Sequence, residues 1–487
     1  MSAASPIPPA PDSGPPATIG LLPELWEMLK LAAPTVATMV SYTVMQFVDG
    51  IMVSRITPAD PVYVAAQGNG GVWAFLPISF VMGLIGVVNT YVSQNLGAGT
   101  PQRGPAYAWN ALWVACMAYV LMLGYALALP YIFTLGGGGH SEKLLRLQTQ
   151  YAQILLAGSI LTMSTRAMAQ FFYGMHKPAV VFIAAVVGNI VNFVLNYVLI
   201  FGRPELGIPA LGVPGSAIAT IIGTGVELSI PFGLFLSKKY NDRYGTRAAW
   251  RISPTHLRDI FKVGWAPSIM FGNELLCWAI FMTMLAGKFG VDHNAAGWIV
   301  LRYMHLSFMP AVGLSFAITS VVGKAIGAKQ PEVARHKVKL GVMLAAGYML
   351  ICAACFVIFR NHLIGVFLPA NTDPVVAAQI TSIGVSLLMI AAVFQLFDGV
   401  GIALIGALRG AGDTTVPGVA TIGMAWTLIV GLGWLMTVMF PELESRGPWI
   451  GAAVYIIALG FFLVWRWRSG AWEKIKLLEH SAPVIHG

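Results

Sequence analysis

Apolar residues run through this chain in long blocks, separated by short stretches where polar and charged residues collect. Twelve blocks read as membrane-crossing helices: 28–54, 71–95, 105–134, 148–175, 178–202, 212–237, 257–287, 295–323, 336–360, 376–408, 415–440 and 448–466. A helix needs about 20 mostly apolar residues to cross the hydrocarbon core of a bilayer. Several blocks are longer than that, so tilt or extension beyond the core is expected. The pattern predicts an all-α polytopic membrane protein with 12 transmembrane helices. Composition agrees: of 487 residues, 57% are hydrophobic and 10% charged. That is too few charges to cover a soluble protein of this size.

Residues 1–24 are rich in Pro, Ser and Ala and read as a disordered N-terminal tail. They lack the basic segment and short apolar core of a cleaved signal peptide. The net charge of +9 is loop charge that sets orientation, and no nucleic-acid partner is expected. With a cytoplasmic N-terminus, twenty Lys and Arg fall in inside loops and seven in outside loops. Positive charge favours the cytoplasmic side, so both termini are expected in the cytoplasm. Cys116, Cys277, Cys352 and Cys355 all lie in apolar segments and read as packing residues.

The longest basic stretch follows the sixth block and divides the chain into two sets of six. "PTVATM" at Pro34 and "PSIMFG" at Pro267 are offset by 233 residues. Gly97 and Gly327 are offset by 230, and Gly174 and Gly410 by 236. Three ordered marks whose spacings agree to within a few residues point to an internal duplication. Six helices per copy keep both copies facing the same way, related by an axis along the membrane normal. The expected organisation is two pseudo-symmetric six-helix lobes. The N-lobe covers 25–239 and the C-lobe 257–468. A cytoplasmic linker spans 240–256, and a C-terminal cytoplasmic tail spans 469–487.

Four acids fall deep inside the blocks, beyond their first few residues: Asp49, Glu227, Glu274 and Asp398. Such residues are costly in a membrane and face a cavity or one another. Asp398 lies eleven residues before Arg409, roughly 16 Å along a helix and near mid-depth. Glu274 is also near mid-depth, beside Asn273 and one or two turns from Pro267. A proline removes a backbone hydrogen bond and can kink its helix, so Pro34 and Pro267 mark candidate pivots. Each acid can instead serve as a buried structural hydrogen-bonding group. Asp49 is near enough to the outer end to reach the interface or meet a basic group, and Glu227 can pair with Arg166 or Arg302. At the repeat offsets, Asp398 meets Thr162, Glu274 meets Ser41 and Asp49 meets Met282. The acids therefore break the pseudo-symmetry, as specialised sites do. A desolvated carboxylate can carry a proton near neutral pH, and two carboxylates with other oxygens can hold Na⁺. Either occupant can bias a two-state protein, provided it binds one state better.

Longer strings carry a family resemblance: "FVDGIMVSR", "RAMAQFFYGMHKP", "NFVLNYVLIFG", "PELGIPALGVPGSAIAT", "PSIMFGNELL" and "FDGVGIALIGALRGAGDT". Over nearly all of residues 25–465 the chain resembles the MATE (multidrug and toxic compound extrusion) transporters, most closely their NorM-like bacterial branch. The resemblance implies export of amphiphilic, often cationic organic compounds in exchange for H⁺ or Na⁺, by rocking of the two lobes. It implies a multi-pass monomer in the bacterial inner membrane, no cofactor and no enzymatic activity. It places cation coupling, including any Na⁺, on Glu274 and Asp398, with Asp49 as the N-lobe acid. Asn273, Gln395, Asn192, Asn196, Glu227 and Arg166 are candidate supporting residues. The NorM-like branch often has a tyrosine four residues before the Asp398 position, where this chain has Phe394. The missing oxygen shifts the expectation toward H⁺. The archaeal DinF-like branch has an aspartate at the position of Asn196, which argues against that branch's full N-lobe proton relay. The alternative within the superfamily is a lipid-linked precursor flippase. An intramembrane enzyme or a channel ranks lower, since no HExxH, turn-placed GxSxG or histidine cluster is present.

Overall fold

The computed structural model describes residues 21–58, 60–135, 142–368 and 373–478. Among these the chain is helical with no strand. The first half contains α1 (Leu21–Ser54), α2 (Pro61–Ile85), α3 (Val88–Gly97), α4 (Gly104–Leu135), α5 (Glu142–Ala157), α6 (Ser159–Gly174), α7 (Pro178–Phe201) and α8 (Val213–Leu236). Short α9 (Lys238–Tyr244) leads to the second half, which starts with α10 (Pro254–Ile280), α11 (Val291–Gly327) and α12 (Pro331–Ile358). There follow α13 (Arg360–Gly365), α14 (Pro374–Ala411), α15 (Thr415–Met424), α16 (Gly433–Met439) and α17 (Arg446–Arg468). Helix starts follow local chemistry. Asp60 accepts from the Val62 amide at 2.9 Å ahead of Pro61, which starts α2 ten residues before the apolar block. The Asp60 carboxylate also accepts from Lys143 at 2.6 Å, and that bond holds its pKa below the ordinary value. This cap therefore stabilises above the usual carboxylate range and is lost on acidification.

Eleven helical segments are long and apolar enough to cross a bilayer. The twelfth crossing is built from α5 and α6, sixteen residues each, which meet at Gly158. π-Helical turns extend α10 over Phe281–Ala286 and join α15 to α16 over Ala425–Leu432.

The duplication is visible as contact geometry. A Cβ on Gly97 would lie 1.9 Å from the Lys324 carbonyl oxygen, and one on Gly327 would lie 1.9 Å from that of Gln94. Residues 94 and 324 carry the same offset of 230 as the glycines. Gly174 packs on the Asn89 carbonyl and Val92, and Gly410 packs on the Thr319 carbonyl and Val322. Gly83 of α2 meets Pro267 and Ser268 of α10, while Gly313 of α11 meets Thr35 and Val36 of α1. Small residues let membrane helices approach backbone to backbone, and each contact here has its counterpart across the axis.

Hydrogen bonds between the halves cluster at the end bearing Gly97 and Gly327. Thr90 donates to the Arg409 carbonyl at 2.8 Å and Gln94 to that of Gly410 at 3.0 Å. Ser320 donates to Asn89 at 2.9 Å, and Tyr107 to Asp259 at 2.9 Å. The halves also exchange helix ends. Met28 and Ala32 of α1 lie in the second half's apolar core, and Ile260 and Val263 of α10 lie in the first half's. Further along, Val53 and Cys277 pack within their own halves. Both helices run on through Pro34 and Pro267, and each proline sits where its helix passes between halves.

Two expected segments differ. Helix α1 begins at Leu21, inside the stretch expected as a tail, and residues 1–20 lie outside the described residues. The expected C-terminal tail starts as packed structure. Trp472 is fully buried and stacks on Trp467 at 4.3 Å, and Leu477 covers Gly412. Residues 479–487 are outside the described set.

Candidate functional site

In the first half, α1 carries Asp49 on the face turned to α7. Asn192 and Asn196 are one turn apart on α7 and share a face. The Asp49 carboxylate accepts from Asn196 at 2.6 Å. The same amide donates to Asn192 at 3.1 Å, and Asn192 donates to Thr220 of α8 at 3.4 Å. Asp49 is buried; its resolved partner is an amide rather than a basic group. The chain of amides depends on close packing of α7 and α8. A Cβ on Gly223 would lie 2.8 Å from that of Asn192, and one on Gly188 would lie 2.8 Å from that of Glu227.

Two turns along α1 from Asp49, Tyr42 donates its hydroxyl proton to Glu227. The Arg166 guanidinium lies 4.5 Å over the Tyr42 ring, and its charge reaches Glu227. The pairing of Glu227 is therefore made through Tyr42, with Arg166 behind the ring. Arg302 is elsewhere, 5.4 Å over the Phe367 ring. Tyr42 was not singled out by sequence, although it lies seven residues from Asp49 and so on the same helix face.

The Asp49 bond gives a direct expectation. Asn196→Leu removes the donor and leaves a buried carboxylate unpaired, a loss of roughly 1–3 kcal/mol. The melting temperature in detergent should fall, and adding Asp49→Asn should recover part of the loss. An unchanged melting temperature for Asn196→Leu would contradict this account.

In the second half, α10 carries Glu274 and α14 carries Asp398. Both are half-buried, and each feels the other's charge. Among the described residues neither carboxylate makes a hydrogen bond or an ion pair. Asn273 accepts from the Trp426 indole at 2.7 Å, which ties it to the π-helical turn instead of to Asp398. Gln395, fully buried one turn before Asp398, donates to Ser307 of α11 at 2.8 Å. Its carbonyl oxygen is buried without a partner. Phe394 is fully buried. No cluster of three or more His, Cys, Asp or Glu suited to a metal ion is present among the described residues.

The structure thus places the acids in two environments. Asp49 and Glu227 are hydrogen-bonded within the first half, whereas Glu274 and Asp398 are unpartnered in the second. A carboxylate left without a partner in a membrane helix can take up a proton or hold a small cation.

Comparison with known proteins gives the same outline. The MatE family profile matches residues 34–198 and again 269–435, one copy in each half. A probable multidrug resistance protein NorM from Pseudomonas syringae pv. tomato is 27% identical over 462 residues, covering 94% of this chain and 97% of that protein. A MOP-superfamily transporter from Pyrococcus furiosus superposes with a TM-score of 0.81 at 24% identity, covering 93% of this chain and 97% of the other. A multidrug-resistance MATE transporter in an outward-facing conformation gives 0.79 at 23% identity, covering 92% and 96%.

Proposed function

The chain belongs to the MatE family of membrane transporters, and on that premise we propose that it is a secondary antiporter. It expels amphiphilic, often cationic organic compounds in exchange for H⁺ or Na⁺. The observation that carries the reading is the unpartnered pair Glu274 and Asp398, half-buried on two helices of one half. Occupancy by a cation changes the charge of that pair. It can then favour one arrangement of the lobes over the other. Asp49 responds in the N-lobe through Asn196 and α1. The relatives named as multidrug resistance proteins support the substrate class.

Both termini are placed in the cytoplasm by the excess of Lys and Arg in the loops on that side. The inter-lobe contacts of Gly97 and Gly327 then close the cytoplasmic end. The expected location is the bacterial inner membrane. N-lobe 25–239 and C-lobe 257–468 remain the proposed moving units, with α1 and α10 bending near Pro34 and Pro267. The flippase alternative calls for a more cationic cavity. The two in-span arginines, Arg166 and Arg302, each stack on an aromatic ring.

The test is efflux of a cationic dye from proteoliposomes under separately imposed Na⁺ and pH gradients. At least one gradient should accelerate efflux. Equal rates with and without both gradients would remove the antiport reading.

A further inference from the structure

We propose that the linker between the two halves is a docking surface for anionic phospholipid headgroups of the cytoplasmic leaflet. Lys238, Lys239 and Arg251 contact the headgroups, and Trp250 and Ile252 form the apolar anchor. The proposal goes beyond the antiport reading and shares with it only the placement of this end in the cytoplasm.

The linker is tied down along its length. On α9, Tyr240 and Tyr244 are buried in the first half's apolar core. That turns Lys238 and Lys239 outward, where both are exposed. The segment after α9 is fastened along the flank of α4. The Trp109 indole donates to the Thr246 carbonyl at 2.7 Å, and the Trp113 indole to that of Trp250 at 2.8 Å. The Ser253 amide donates to the Asn110 side chain at 2.9 Å. Arg247 closes the loop on itself, its Nε donating to the Leu236 carbonyl at 2.8 Å and its amide to Asn241 at 3.0 Å.

Those bonds set the depth of the linker. Helix α4 has 32 residues, roughly 48 Å of helix against a hydrocarbon core of about 30 Å. It therefore extends beyond the core, and its first residue is Gly104. Trp109 and Trp113 lie roughly 8 and 14 Å along it from that end. The linker thus lies beside the first turns of α4 and not beyond them, near the level where the helix leaves the core. Tryptophan is enriched at that level in membrane proteins. Trp250 and Ile252 nonetheless face away from the protein, 54% and 55% exposed. Only the Trp250 carbonyl is engaged by α4, so its indole is free to enter the interface.

Charge identifies the occupant. Between residues 237 and 253 there are five Lys and Arg and a single acid, Asp242. Lys238, Lys239 and Arg251 make no side-chain hydrogen bond or ion pair among the described residues. Basic residues flanking a membrane helix are attracted to anionic lipids, and basic residues beside tryptophan are the composition of an interfacial segment. A soluble acidic partner would match the charges but would leave the exposed indole and isoleucine at lipid depth without a role.

The experiment uses the full-length protein in phosphatidylcholine proteoliposomes with a small fraction of lipid brominated on its acyl chains. The brominated lipid is either phosphatidylglycerol or phosphatidylcholine. Bromine quenches indole fluorescence on contact, and the difference between wild type and Trp250→Phe isolates Trp250 from the other tryptophans. Trp250 should be quenched, and more strongly by brominated phosphatidylglycerol than by phosphatidylcholine at the same mole fraction. High salt should remove that excess, since exposed charges are screened. The triple variant Lys238→Gln, Lys239→Gln, Arg251→Gln should lose the excess and keep the wild-type melting temperature. The salt titration of the wild type tests the same point without any substitution. Three results would overturn the proposal: no quenching of Trp250 by either lipid, which leaves the surface to a soluble acidic partner; equal quenching by both headgroups; or an excess that survives both high salt and the triple variant. Labelling of Ala248→Cys by a membrane-impermeant maleimide from each face of sealed vesicles checks the orientation separately. Labelling from the outer face would overturn the orientation together with the proposal. Labelling from the cytoplasmic face without a headgroup preference would overturn the proposal alone.

Discussion

Asp398→Asn is expected to reduce gradient-driven efflux by about 100-fold, near the upper end of coupling between two sites in one protein. The amide keeps the shape of the carboxyl group but neither takes up a proton nor carries a negative charge. Asp398 makes no hydrogen bond among the described residues, so the substitution removes little that holds the fold together. The melting temperature should change little. The contrast with Asp49 is informative, because Asp49 is tied to Asn196 and its replacement disturbs structure as well as charge. The measurement is the initial rate of dye efflux per inserted protein under a fixed pH or Na⁺ gradient. Rates within about twofold of wild type, where coupling energy is negligible, would sink the coupling role of the C-lobe pair. Glu274→Gln should give a loss of the same kind, since each acid feels the other's charge.

The second large effect concerns the closed end of the molecule. Gly97→Ala places a methyl group 1.9 Å from the Lys324 carbonyl oxygen, and Gly327→Ala does the same to that of Gln94. Neither neighbour is a flexible side-chain tip. The lobes must separate there, at a cost of about 1–3 kcal/mol for an overpacked contact. A penalty of that size shifts a two-state equilibrium by roughly 5- to 150-fold. Spin labels at Gln102 and Gln330, in the loops beyond these glycines, should report a longer distance in either variant, and dye efflux should fall. Because the two contacts are related by the duplication, both variants should act in the same direction. A lengthened distance in only one of them would contradict the pseudo-symmetric account of the closed end. Unchanged distances in both would contradict the clash itself.

Much of this molecule was legible in its sequence. Hydrophobic blocks report on lipid directly, so the twelve crossings were found even where α5 and α6 break at Gly158. Boundaries were less legible. Asp60 and Pro61 start α2 well before its apolar block, because a cap and not hydrophobicity decides where a helix begins. The repeat was legible because its marks are glycines and prolines, whose backbone requirements leave few substitutes. The four acids stood out because charge in an apolar block is costly.

The pairing of those acids was not legible. Asn196 and Asp49 are 147 positions apart, and Tyr42 and Glu227 are 185 apart. A tyrosine in an apolar run raises no alarm, so Tyr42 was not singled out. The exchange of helix ends between the halves was equally hidden, since Met28 and Ile260 are ordinary apolar residues in ordinary apolar runs.

The sequence by itself determined the class, the number of crossings, the duplication and the positions of the intramembrane charges. Each of these follows from the transfer energy of residues read one segment at a time. The tertiary structure alone decided which acids are satisfied and which are left open. It also decided at which end the lobes meet. Those outcomes depend on distances between helices remote in sequence. Such distances are set by small-residue contacts such as Gly188 with Glu227 and Gly327 with Gln94, and no local pattern encodes them.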